Sequence, residues 1–147
     1  MRGLLEKWGF SGEKSELYRA KTKLKKVSIN EVLNNITKSC WNYNIQYEII
    51  LKNSDKLIIK LIGREKKLLL KYHKKDSIMM RDYEEFLNWL EHCKIERGIY
   101  IATGFFEKKI YSDECNLFHN KVKKIDVEKF IKKQMNIDRL SFLEYLP

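Results

Sequence analysis

Seven basic side chains, Lys60, Arg64, Lys66, Lys67, Lys71, Lys74 and Lys75, recur within sixteen residues rich in Leu and Ile. From Lys52 to Lys75 there are nine bases against two acids, Asp55 and Glu65. Ammonium and guanidinium groups at this density suit phosphates, because binding releases condensed counterions and is indifferent to base sequence. Tyr72 and His73 add groups that stack or hydrogen-bond beside them. The competing reading is a solvated basic face in a Lys- and Ile-rich chain. Other chemistries find less support. Cys40, Cys93 and Cys115 are odd in number and form no CxxC pair, which disfavours a disulfide scaffold or structural zinc. His92 adjoins Cys93, and Cys115 precedes His119 by four, but adjacent residues do not share a helix face and nothing completes a metal set. No G-x-S-x-G, Walker A or H-E-x-x-H pattern occurs.

The elements that must position this charge are legible from periodicity. Leu17, Ala20 and Leu24 predict a short basic helix over Ser15 to Lys26. Ser28 and Glu31 form a capping-box pattern ahead of a helix with the stripe Ile29, Val32, Leu33, Ile36 and Cys40, ending near Trp41-Asn42. Gln46 to Lys52 reads as a strand and Asn53-Ser54-Asp55 as a turn. Leu57–Ile62 and Leu68–Tyr72, joined by Gly63-Arg64-Glu65-Lys66, read as a hairpin whose second arm is apolar on both faces, as in a central strand. Asp82 is read as the cap of a helix from about Tyr83 to Arg97-Gly98, followed by a strand over Ile99 to Ala102. Glu107 to His119 is read as a helix and Lys121 to Ile125 as a strand. Asp126 caps a last helix, and Ile137 to Leu146 forms an amphipathic helix or hook. This order predicts an α/β sandwich of helices flanking a central mixed sheet.

The chain has 147 residues, 44% hydrophobic and 12% aromatic, which suits one domain with a real core. Charged residues make up 34%, and no apolar run approaches the ~20 residues of a membrane span, so no membrane partner is expected. With no signal-peptide pattern and with reduced thiols, the expected location is intracellular, cytoplasmic or nuclear. Thirty bases against 20 acids give +10, which favours a polyanionic partner. Residues 1–14 read as an N-terminal arm whose Trp8 and Phe10 clip onto the domain or onto another protein subunit; residues 15–147 read as the single domain.

Gly98-Ile99-Tyr100-Ile101-Ala102-Thr103-Gly104-Phe105-Phe106 resembles the glycine-bounded strand of Mrr-type restriction endonuclease domains. Val122 to Ile131 resembles their closing strand and helix, and with the hairpin the likeness covers about Ser28 to Lys133. It implies a restriction-endonuclease-like, three-layer sandwich. In that family an acid on the second core strand and an acid-x-Lys set on the third hold a divalent metal beside the attacked phosphate. Here the second strand offers Ile58-Ile59-Lys60-Leu61 and the third Leu69-Leu70-Lys71-Tyr72-His73, with no carboxylate on either. The metal site therefore reads as lost, with no cofactor and no metal ligands. If cleavage survives, the resemblance implies Mg²⁺ held by Asp55 and Glu48, with Lys71 supporting the attack.

The chain is also similar to the N-terminal jaw domain of the fifth shared subunit of eukaryotic RNA polymerases, through Leu17-Tyr18-Arg19-Ala20, Arg97-Gly98-Ile99-Tyr100 and Val122 to Gln134. That subunit's C-terminal assembly domain has no counterpart here. The leading expectation is a non-catalytic subunit or scaffold of a larger assembly, contacting DNA or RNA through the basic hairpin. The alternatives are a divergent Mg-dependent endonuclease and a small immunity or inhibitor protein. Lys121, Lys123 and Lys124, like Lys23, Lys25 and Lys26, are smaller basic clusters that in a sandwich need not lie on the hairpin face.

Overall fold

The computed structural model describes residues 15–112 and 121–147, which hold seven strands and four α-helices. Helix α1 covers residues 15–26. Helix α2 (Ile29–Asn42) starts where the sequence says it should. The Ser28 hydroxyl accepts from the Glu31 N–H at 3.1 Å, and the Glu31 carboxylate accepts from the Ser28 N–H at 3.4 Å. Two amide donors that the first turn leaves unpaired are thereby satisfied. Ser28→Ala is expected to cost about 1 kcal/mol, read as a lower midpoint in urea unfolding.

Strands β1 (Gln46–Lys52), β2 (Lys56–Ile62) and β3 (Lys67–His73) form an antiparallel meander. The β2–β3 hairpin pairs Ile59 with Leu70, and the Gly63 N–H closes its turn onto the Lys66 carbonyl at 2.8 Å. Beyond a two-residue strand β4 (Ser77–Ile78) comes helix α3 (Met80–Cys93). Strand β5 (Arg97–Ala102) then lies parallel to β3, and β7 (Lys121–Ile125) parallel to β5. The main sheet order is β1-β2-β3-β5-β7. A short β6 (Phe105–Phe106) pairs with β4 outside it, and helix α4 (Val127–Lys132) follows β7.

The period of two in the central strands divides the core into two layers. Leu57, Ile59, Leu61, Leu70, Tyr72 and Ile101 point to a face covered by α2, α4 and the C-terminal hook. Ile58, Leu69, Tyr100 and Ala102 point to the other face, under Phe86, Leu87 and Leu90 of α3. The result is an α/β structure with helices on both sides of a mixed sheet. Among the described residues no helix is long and apolar enough to cross a membrane.

Three expectations change. Asp82 does not cap α3 from outside; it sits in the first turn, and its carboxylate reaches back to the Met79 N–H at 2.9 Å. That helix also stops early, because Lys94 turns left-handed at φ 56° and its N–H closes on the Leu90 and Glu91 carbonyls. The described part of the Glu107–His119 stretch is a single 3-10 turn, Lys108–Tyr111, rather than an α-helix. In the tail, the hook alternative holds: Leu140, Phe142 and Tyr145 enter the core and only Leu143–Tyr145 form a 3-10 turn. Trp8, Phe10, Cys115 and His119 lie outside the described residues.

Candidate functional site

The seven bases singled out from the sequence do not share a surface. Strand β3 spans about 20 Å, and it holds Arg64, Lys66 and Lys67 at its amino-terminal end, with Lys74 and Lys75 just past its carboxyl-terminal end. Lys60 sits mid-strand opposite Glu48 and lines a recess with Trp89, His92 and Cys93. Lys75 donates to the Asp82 carboxylate at 2.6 Å. Lys71 corrects the expectation most: it is fully buried, so it offers no phosphate contact on the hairpin surface. Its alternation places it on the α3 face of the sheet, with Ile58, Leu69 and Tyr100.

A denser basic site lies at the hairpin turn and was not read from the sequence. Because β3, β5 and β7 are adjacent and parallel, their first residues meet at one end of the sheet: Lys121 is in register with Arg97, and Lys67 precedes Leu68, the neighbour of Arg97, so it points to the α3 face while the other two point away from it. Neighbouring strands are about 4.8 Å apart, so these bases crowd around that end of the sheet. Lys66, Lys123 and Lys124 join them around a cleft of ≈ 590 Å³, in which Glu144 is the one acid among the described lining residues. Glu144 is engaged by Lys133 at 3.3 Å. Lys124 also lies over the Tyr83 ring at 5.4 Å, which fixes its stem against α3. Lys121, Lys123 and Lys124, whose place relative to the hairpin the sequence leaves open, thus meet its turn end. Sequence distance hid the link: about 55 residues part Lys67 from Lys121, and only the parallel order of the sheet joins them.

At the opposite end, Lys71, His73 and Tyr100 form a buried polar cluster. The Lys71 ammonium has no hydrogen-bond partner among the described residues and rests 4.8 Å from the centre of the Tyr100 ring. Burial pulls its pKa down to about 8, with Glu85 opposing part of that shift. Burial, and then the Lys71 charge, hold His73 down at about 4, so the imidazole is neutral. His73 Nδ1 lies 2.7 Å from the Tyr100 hydroxyl. Burial pushes the Tyr100 phenol well up, so it keeps its proton, and the other ring nitrogen, Nε2, lies 4.0 Å from an Asp55 carboxylate oxygen. Asp82 feels burial as its largest influence, which raises its pKa. The hydrogen bonds from Lys75 and Met79 and the Lys75 charge outweigh it, so the carboxyl stays below its usual range. Glu85 pairs with Lys56 at 3.4 Å.

The residues named for metal-assisted cleavage do not fit one ion. Glu48 stands opposite Lys60, while Asp55 precedes Lys56, so the two carboxylates are separated by about 16 Å of strand. A shared Mg²⁺ needs its oxygens at about 2 Å. Among the described residues no group of three His, Cys, Asp or Glu side chains is placed to hold a metal. Asp55 instead neighbours His73, and its backbone carbonyl accepts from the Lys74 N–H at 2.7 Å.

No family model, curated protein or solved structure matches this chain. The functional reading therefore rests on its own residues.

Proposed function

We propose that this protein is a nucleic-acid-associated domain that holds phosphates without cutting them, on a degenerate restriction-endonuclease-like framework. The observation that carries the reading is the cleft at the head of β3, β5 and β7, where six bases face one already paired acid. Phosphates satisfy such a cluster because each contact releases counterions, whereas a neutral ligand would leave the charges mutually repelling. The likeness to Mrr-type domains is supported by the element order, a meander followed by parallel strands across a helix. The absence of cleavage is supported by the two strands on which that family carries its acids: neither β2 nor β3 has a carboxylate in any register. Incorporation into a larger assembly, through the arm bearing Trp8 and Phe10, belongs to the same proposal.

The test is charge reversal on both sides of the cluster, Lys66→Glu with Lys67→Glu, and Lys121→Glu with Lys123→Glu, titrated against labelled DNA and RNA over a salt series. All four side chains are exposed, so the fold should survive. Each pair is expected to weaken binding about tenfold or more and to lower the log–log salt slope by about one per lysine lost. Unchanged affinity and slope in both variants would remove the cleft as the contact surface. Cleavage of either nucleic acid in Mg²⁺ or Mn²⁺ would overturn the non-catalytic half.

A further inference from the structure

The shape of the basic cleft narrows its ligand further than its charge does. It is concave, and its ≈ 590 Å³ fall within the range of small-ligand pockets. A double helix, whose bases are stacked inside and whose grooves admit protruding elements, cannot place a base in a recess of that size. Beneath the charged rim, the cleft is lined by Leu68, Ile99 and Val122 and by Leu146 and Pro147 from the hook. Apolar lining of this kind gains nothing from phosphate, which is fully hydrated, but it does gain from the face of a base. Phosphate binding alone therefore leaves the apolar lining unexplained; a unit combining a flat apolar group with a phosphate explains both.

We propose that the cleft takes one or two nucleotides of a single strand, with a base against its apolar lining and the flanking phosphates on the bases at its rim, Lys67, Arg97 and Lys121. The inference rests on the phosphate-binding reading above and goes beyond it in naming an unpaired strand. Arg97 and Lys121 stand in register on neighbouring strands, about 4.8 Å apart and on one face, so they can hold one phosphate or two successive ones. Lys123 continues along β7, an edge strand of the sheet among the described residues. A strand running past the cleft can thus leave it along β7 while a single base turns inward.

The experiment is a set of anisotropy titrations on the full chain at about 150 mM salt. The probes are a labelled single strand of about 12 nucleotides, its duplex, an abasic strand of the same length, and a free mononucleotide as competitor. The single strand should bind about tenfold or more tighter than the duplex, and the abasic strand about tenfold weaker while keeping a similar salt slope. Arg97→Gln with Lys121→Gln should weaken all polymers while circular dichroism stays unchanged, since both side chains are exposed. Equal or tighter duplex binding, or equal binding of the abasic strand, sinks the single-strand inference while a salt-dependent affinity keeps the phosphate reading. A mononucleotide that binds as tightly as the polymer also sinks it, in favour of a nucleotide pocket. No salt-sensitive binding to any polymer removes both readings together.

Discussion

Lys71→Met is expected to stabilise this protein by about 3 kcal/mol at pH 7, an unusual direction for a fully buried residue. The side chain is enclosed between the sheet and α3, and its ammonium finds no acceptor among the described residues. The Tyr100 ring at 4.8 Å and the more distant Glu85 and Asp82 charges do not replace the lost hydration. Methionine is unbranched and of similar length, so it fills the same volume without the charge. The pH dependence gives the prediction its signature. With the folded pKa depressed to about 8 from 10.5, the unfolded chain binds the extra proton between those values. Stability of the parent protein must therefore rise with pH across that window, and Lys71→Met should abolish the rise.

His73 adds a second step with the same sign. Its pKa falls to about 4 from 6.5, so stability should drop as pH is lowered through that interval, where only the unfolded chain takes up the proton. Above about pH 10 the buried tyrosines act in reverse, because Tyr72 and Tyr100 are shifted well up and Tyr145 is pushed up to about 12. The folded state then holds protons that the unfolded chain releases, and stability falls. Urea unfolding from pH 4 to 11 should thus show two rises and a final decline. A parent curve flat between pH 8 and 10, or a destabilised Lys71→Met, would refute the buried-charge account. A costly unpaired lysine beside a histidine and a tyrosine is also the kind of group retained for function. If Lys71→Met gains stability and keeps nucleic-acid affinity, the basic cleft at the other end of β3 carries the binding alone.

Gly104→Ala is expected to cost at least about 3 kcal/mol and to broaden the unfolding transition. A Cβ at Gly104 would overlap the backbone of Asp76, and backbone cannot step aside as a flexible side chain can. The close approach is what lets the Phe105 N–H reach the Asp76 carbonyl at 2.9 Å and the Val127 N–H reach the Gly104 carbonyl at 3.0 Å. Losing it separates β6 from β4 and loosens the start of α4 at once. Gly98→Ala makes the comparison. There the added Cβ meets the buried Phe86 ring at 2.8 Å, side-chain rather than backbone atoms, so a smaller cost of about 1–2 kcal/mol is expected. Equal effects at the two glycines, or a change under about 1 kcal/mol at Gly104, would contradict the packing argument.

These two glycines bound the strand that carried the resemblance to Mrr-type domains, and each has a steric reason to be there. Their spacing was visible in the sequence; what each one touches was not. The same division runs through the molecule. The capping box at Ser28, the β2–β3 hairpin and the closing β7–α4 unit are local, set by side chains a few residues apart, so periodicity and caps reveal them. The Asp82 misplacement and the early stop at Lys94 were local too, but turned on one backbone conformation that no side-chain pattern announces. The candidate site was legible only as charge. Net charge and the basic run pointed to phosphate, yet alternation buried Lys71, strand length parted Lys67 from Lys75, and parallel pairing drew Arg97 and Lys121 to Lys67. Composition and short-range spacing determined which elements form and the sign of the surface they carry. Which of those charges stand together was decided by strand order, because parallel strands bring into register residues that the chain itself keeps far apart.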